Sequence, residues 1–189
     1  MITIRNERVG DIPAREALLD RAFGKERLRK TAERLRAGRR PAEGLSFVAQ
    51  ADRSVVGTVR LWHVSAGPSR PALLLGPLAV DDASRGLGIG AALMQCATEA
   101  ARASGHAAVL LVGDAAYYDR FGFSAEQTGA LWLPGPFERG RLLARELMPG
   151  ALGKACGLIA ATGPALPRPD TAHFAAEQCR RDAGIPRAA

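Results

Sequence analysis

Ser84 to Leu93 reads SRGLGIGAAL, three glycines at alternate positions between an arginine and an alanine-rich run. The apolar string Leu73–Val80 (LLLGPLAV) and the polar DDAS precede it. From Leu87 to Ala103 the period predicts a helix with Ile89, Leu93, Cys96, Ala97 and Ala100 on one face, and Gly105 suits its C-terminal cap. A strand, a glycine loop and a helix in that order make an anion cradle. The first helical amides lack carbonyl partners, the helix dipole adds partial positive charge, and glycine lets an anion reach the backbone.

Three anions compete for the loop. A nucleoside-triphosphate loop requires Gly-Lys-Ser/Thr after the second glycine, and Ile89, Gly90 and Ala91 stand there instead. The dinucleotide fingerprint G-x-G-x-x-G/A is matched by Gly86 to Ala91, but its context is wrong. Asp81 to Arg85 separate Val80 from Gly86, Asp114 lies too far along to be the ribose-binding acid, and no second mononucleotide-binding half follows. The third reading, favoured over the dinucleotide one, is a pyrophosphate on the helix N-terminus, with Arg85 adding a full charge.

The 189 residues suit one domain with an appended tail, and 47% apolar residues are enough for a core. The N-terminal MITIRNERVGDIPAR lacks a signal-peptide core, and no apolar run could span a bilayer. A cytoplasmic protein with no membrane partner is expected. Cys96, Cys156 and Cys179 are odd in number and form no Cys-x-x-Cys, so neither a disulfide framework nor a metal site is expected. The net charge of +7 comes almost entirely from arginine and would suit an acidic partner. Its densest block, Lys25 to Arg40 (KERLRKTAERLRAGRR), includes Glu26 and Glu33, with Leu28, Ala32 and Leu35 at helical spacing. It reads as an amphipathic helix with a solvated basic face. Lacking interleaved aromatics or a recognition motif, it predicts no nucleic-acid partner.

Along the chain, ITIR is a first strand, and Asp11 and Pro13 open a helix with Ala14, Ala17, Leu18 and Ala22 on one face. LSFVAQ and SVVGTVRLWHVS form a hairpin through ADR. Leu73–Val80 is the fourth strand, in which Gly76 and Pro77 predict a bulge because proline cannot donate to the ladder. AAVLLVG is the fifth, apolar throughout and therefore central and parallel to its neighbour. DAAYYDRF is a short helix, and GALWLPG and RLLARELM are two further strands. The fold class is α/β, residues 1–150 forming a mixed central sheet with helices on both faces. Residues 151–189 read as a loose Gly/Pro-rich extension, expendable and with one helix over Thr171–Asp182.

Arg85-Gly-Leu-Gly-Ile-Gly90 resembles the Arg/Gln-x-x-Gly-x-Gly/Ala signature of the GNAT superfamily of acetyl-CoA-dependent N-acetyltransferases. YYDRFGF, Tyr117 to Phe123, resembles the tyrosine followed by Gly-Phe that ends their fourth helix. LLVGDAAYYDRFGF with LARELMPGAL behind it is similar to the YhbS-like bacterial branch. The resemblance spans about residues 1–150 and implies splayed fourth and fifth strands. Between them the pantetheine arm of acetyl-CoA would pair with Leu78 and Val80, and a backbone N–H near Ala79 or Val80 would polarise the thioester carbonyl. Arg85, Gly86, Leu87, Gly88, Ile89, Gly90 and Ala91 would hold the pyrophosphate, and Tyr118 would protonate the leaving thiolate. The implied co-substrate is acetyl-CoA without a metal, the acceptor is a small-molecule or peptide amine, and a homodimer is compatible.

The chain also departs from that pattern. Many members carry a glutamate base on the fourth strand, whereas Leu73–Val80 has no carboxylate. Gly113-Asp114-Ala115-Ala116 replaces the usual Asn-x-x-Ala, and Asp82 stands where a proline is common. His63 on the third strand, or water, is then the candidate base, and Trp62 and Trp132 read as core or cleft-lining aromatics. Two function classes stay open: an N-acetyltransferase working by direct transfer, and an acetyl-CoA sensor on the same fold without useful turnover.

Overall fold

The hairpin expected from the sequence is the spine of the sheet. A computed structural model describes residues 2–167. In it β2 (Ser46–Ala51) and β3 (Ser54–Ala66) pair antiparallel through a turn in which Asp52 (φ 44°) and Arg53 (φ 71°) are both left-handed. Two left-handed central residues give the turn the twist of its strands. β1 (Ile2–Asn6) lines the outer edge of β2. On the far edge of β3 lie β4 (Pro71–Leu75) and β5 (Ala79–Val80). Beyond β4, β6 (Ala108–Val112) runs parallel to it, and an eighth strand, Leu142–Glu146, closes that edge antiparallel to β6. Leu110 and its neighbours in β6 are buried, as a central strand requires.

Helices cover both faces. α1 (Ile12–Phe23) packs Leu18 and Leu19 on Ala79, and α2 (Ile89–Ala103) packs on the opposite face. α2 sinks Ile89, Leu93, Met94, Ala97 and Ala101 among Phe47, Val59, Leu61 and Leu111. Burying Leu93 or Met94 is worth about 1.5–3 kcal/mol each. The helix lies close to the sheet because Gly57 has no side chain: a Cβ there would stand 2.9 Å from Leu93 Cδ1. It ends in a Schellman motif, His106 N–H donating to the Ala101 carbonyl and Gly105 N–H to that of Arg102, both at 3.0 Å.

Three expectations need correction. In α1, Ala14 and Ala17 are exposed, and the inward positions go to Arg15, Leu18 and Leu19. Arg15 is drawn in by the carboxylates of Glu7 and Glu16. The basic block is no helix but two 3-10 turns, Lys25–Arg29 and Thr31–Leu35, broken at an extended Lys30. Arg27 turns inward to Glu16 and Asp20, and Arg34 donates to the Pro134 carbonyl at 2.7 Å. These tertiary partners override the helical period. Finally, the segment past Gly150 is not all loose. β7 (Leu131–Trp132) pairs parallel with β9 (Gly157–Ala161), which pairs antiparallel with the far end of β3 and buries Ile159 completely; Leu142–Glu146 is accordingly β8. The helix expected over Thr171–Asp182 lies outside the described residues.

Candidate functional site

The gap in the sheet begins where Gly76 and Pro77 interrupt the expected fourth strand. The β4–β6 ladder joins Leu73 to Val109 and Leu74 to Leu110. Along β3 the register then shifts from Leu61↔Leu75 to Thr58↔Ala79, so Gly76, Pro77 and Leu78 oppose only Val59 and Arg60. That is the predicted bulge, with a cis Gly76–Pro77 peptide. Gly76 N–H donates to the Arg60 carbonyl at 2.7 Å, and the buried Trp62 indole N–H donates to the Gly76 carbonyl at 2.8 Å. Trp62 is thus a core residue that pins the bulge, whereas Trp132 is 56% exposed.

Past the bulge, β5 pairs with β3 alone among the described strands. Asp81 N–H donates to the Val56 carbonyl at 2.8 Å, which fixes the alternation. Ala79 turns its backbone groups to β3, and Val80 turns its N–H and C=O to the open edge. Of the residues assigned to this edge by resemblance, Val80 therefore offers the ladder, Leu78 lies in the bulge, and Ala79 is spent on β3.

The glycine loop delivers α2 beside that edge. Gly86 (φ +82°) and Gly88 (φ +75°) have left-handed backbone that few other residues adopt. The helix starts at Ile89 rather than Leu87. Its first bond is Ala92 N–H to the Gly88 carbonyl, and no side chain caps it. The amides of Ile89, Gly90 and Ala91 thus precede the first internal bond. Gly90 serves close approach, since a Cβ there would stand 2.8 Å from the Tyr117 hydroxyl and 3.7 Å from Val80 Cγ2. Leu87 points to solvent. Arg85 pairs with Asp82 at 2.7 Å, both mostly exposed, a contact weak enough for a phosphate to displace.

The tyrosines stand on α3 (Ala115–Tyr118), whose N-cap is Asp114, its carboxylate accepting Ala116 N–H at 2.9 Å. The departure from Asn-x-x-Ala is therefore met by another good capping residue. Tyr117 reaches α2 and carries the Arg120 guanidinium 4.1 Å above its ring. Tyr118 lies across Gly113 at the end of β6, where any Cβ would overlap its ring. The two rings meet edge to face at 4.9 Å. Burial, helped by Tyr117, pushes the Tyr118 phenol up to about 12 against the pull of Arg141 and Arg36. Its oxygen therefore keeps the proton at neutral pH.

His63 is not part of this group. It pairs with Leu73 near the start of β4, and its ring lies 5.4 Å from that of His106, just before β6. Tyr118 follows the other end of β6. At about 3.3 Å per residue, the strand separates the two sites by roughly 20 Å. Of the two candidate bases, His63 or water, His63 is thereby set apart from the tyrosines. What that reading missed is Arg36, whose guanidinium crosses the bulge: a Cβ on Gly76 would stand 3.1 Å from its Nη2. Helical spacing assigned Arg36 to a solvated face, and only Glu33, three residues before it, hinted at a partner.

Comparisons with known proteins converge on one family. A model described as an acetyltransferase (GNAT) domain matches residues 42–125. An uncharacterized N-acetyltransferase of Escherichia coli strain K12, YhbS, is 32% identical over 158 residues, covering 82% of this chain and 93% of that protein. The crystal structure of YhbS from Escherichia coli in complex with CoA matches with a TM-score of 0.73 at 31% identity, over 85% of this chain and 89% of the other. A GNAT family acetyltransferase from Brucella melitensis in complex with acetyl-CoA gives a TM-score of 0.59 at 25% identity, over 90% and 94%.

Proposed function

The chain is a GNAT acetyltransferase, and on that premise we propose that it moves the acetyl group of acetyl-CoA directly to a primary amine of a small molecule or peptide. One observation carries the reading: the open edge of β5 at Val80 lies beside the uncapped first turn of α2. Such a pair suits a ligand with an amide-bearing arm and a pyrophosphate. The arm adds to the sheet at Val80 and the bulge. The pyrophosphate takes the amides of Ile89, Gly90 and Ala91 after the turns at Gly86 and Gly88, with Arg85 exchanging Asp82 for it.

The bulge then holds the thioester where β4 and β6 part. The neutral amine attacks the carbonyl carbon, the C–S bond breaks, and the sulfur leaves as a thiolate. Tyr118 donates to the charge that grows on sulfur and passes it a proton as the thiol forms, and water returns a proton to the phenol. The amine's own proton leaves to water, since β4 and β5 carry no carboxylate.

Gly88→Asp tests the assignment. A Cβ on Gly88 meets nothing within 4 Å, and aspartate tolerates left-handed backbone better than most residues. The variant should fold while its carboxylate repels the pyrophosphate, weakening acetyl-CoA about 100-fold, or about 2.7 kcal/mol, by calorimetry. Unchanged affinity in the folded variant would remove the pyrophosphate from this loop. Thiol release across a panel of amines tests turnover, and firm acetyl-CoA binding with no turnover would leave the sensor.

A further inference from the structure

On the sheet face opposite α2, the chain supplies its buried arginines with carboxylates, with one exception. Arg15 pairs with Glu7 and Glu16, Arg27 with Glu16 and Asp20, and Arg60 with Glu7 through both Nε and Nη2. Arg36 is buried to the same degree as Arg27, each side chain 11% exposed. Yet its single carboxylate contact is Nη1 to Glu33 at 3.4 Å, the outer limit of a hydrogen bond. Its Nε is buried without an acceptor, whereas Nη2 is not among the buried unpartnered atoms of the described residues. A buried guanidinium Nε without an acceptor is unfavourable unless something completes it.

The position of the Nε–Nη2 edge says what completes it. Nη2 hangs over Gly76, at the bulge where the sheet opens. Arg36 and Arg141 both act on the Tyr118 phenol, and Arg141 makes no ion pair among the described residues. Counting Glu33, the three groups leave one positive charge beside the tyrosine. The Nε–Nη2 edge presents two parallel donors, the geometry that takes a carboxylate in two hydrogen bonds.

We propose that Arg36 is the acceptor-binding cation, and that the acceptor is an amino-acid-like compound whose carboxylate docks on its Nε–Nη2 edge while its amine faces the bulge. This rests on the transferase reading for the amine's fate, but not for the docking itself. Arg36 lies outside residues 42–125, the span shared with the family model.

Calorimetry on CoA-loaded protein reads the docking without turnover. The probes are α- and ω-amino acids of graded length, each compared with its primary amide. At least one acid should bind ten-fold or more tighter than its amide. Arg36→Met should abolish that preference and Arg36→Lys, which keeps the charge but not the fork, should retain part of it, both leaving acetyl-CoA affinity within two-fold. Acid and amide binding alike in the native protein, or a preference that survives Arg36→Met, would overturn the proposal; the native comparison decides even if the variant fails to fold. Amides acetylated as readily as acids would also overturn it while keeping the transferase. Arg36-dependent binding of acids in a protein that acetylates nothing would do the reverse.

Discussion

Residues 73–123 and residues 25–40 meet at one bulge, yet they are held by different physics. The first region is local and periodic. A bulge, a glycine loop, an amphipathic helix, a buried strand and a capped turn follow one another, each announced by a local sequence pattern. The second is a pair of 3-10 turns whose shape comes from distant partners: Arg27 on Glu16, Arg34 on the Pro134 carbonyl, Arg36 over Gly76. On the proposed reading the regular region is the cofactor cradle, and the irregular one faces it across the bulge. Division of labour follows from this, since a cradle for an invariant ligand tolerates little variation, whereas turns pinned by side chains can change partner by changing one residue.

The largest effect expected from breaking this comparison lies at Tyr118, where the two regions touch through Arg36. Tyr118→Phe should lower kcat by about 10²–10⁴-fold with acetyl-CoA affinity nearly unchanged, because the hydrogen bond strengthens only as charge reaches sulfur. Tyr117→Phe should cost far less. The pH profile adds a second reading. With its pKa pushed up to about 12, the Tyr118 phenol stays protonated through the whole range in which amines lose their proton. The rate should therefore rise with pH along the acceptor's own titration, with no alkaline decline from Tyr118. A full-rate Tyr118→Phe, measured by thiol release, would sever the tyrosine from the chemistry.

What was legible follows the same line. Pro77 cannot donate, so a bulge was readable from one residue. Ile89, Leu93 and Ala97 mark one helix face by period, and Gly88 and Gly90 stood out in the loop as glycines that let an anion reach the backbone. Arg15 and Arg36 gave no such sign. A charged residue is assigned to solvent by default, and its burial depends on carboxylates or ligands that the local pattern does not reveal. His63 is set apart for a related reason: residue type nominated it, but only strand register could place it at the far end of β6 from Tyr118. β9 was lost because five residues among glycines and prolines are too short for alternation to register.

That last loss has a measurable size. Ile159 has no exposure in the seat between β3 and β7. Ile159→Ala should cost about 2–5 kcal/mol of stability, the range for a large aliphatic truncated in a packed core. The site lies on the far stretch of β3, at Val64 to Ala66, so acetyl-CoA affinity should hold under conditions where the variant is folded. Denaturant melts of native and variant protein give the comparison. A cost below about 1 kcal/mol would mean that residues 157–161 carry little of the fold, as their composition suggests.

The smallest effect is expected at Leu28, and its smallness is informative. An amphipathic helix over residues 25–40 would bury Leu28 in one stripe with Ala32 and Leu35, and its truncation would then cost as much as any core leucine, about 2–5 kcal/mol. The extended backbone at Lys30 separates the two turns and takes Leu28 out of that stripe, leaving it 58% exposed while Leu35 is 3% exposed. Leu28→Ala should therefore change stability by less than about 0.5 kcal/mol, the range for surface substitutions. Urea midpoints at constant m-value measure the difference directly. A core-sized loss would restore the continuous helix. It would also turn the face that carries Arg36 and remove the guanidinium from the bulge, so the least perturbing substitution tests the geometry on which acceptor recognition depends.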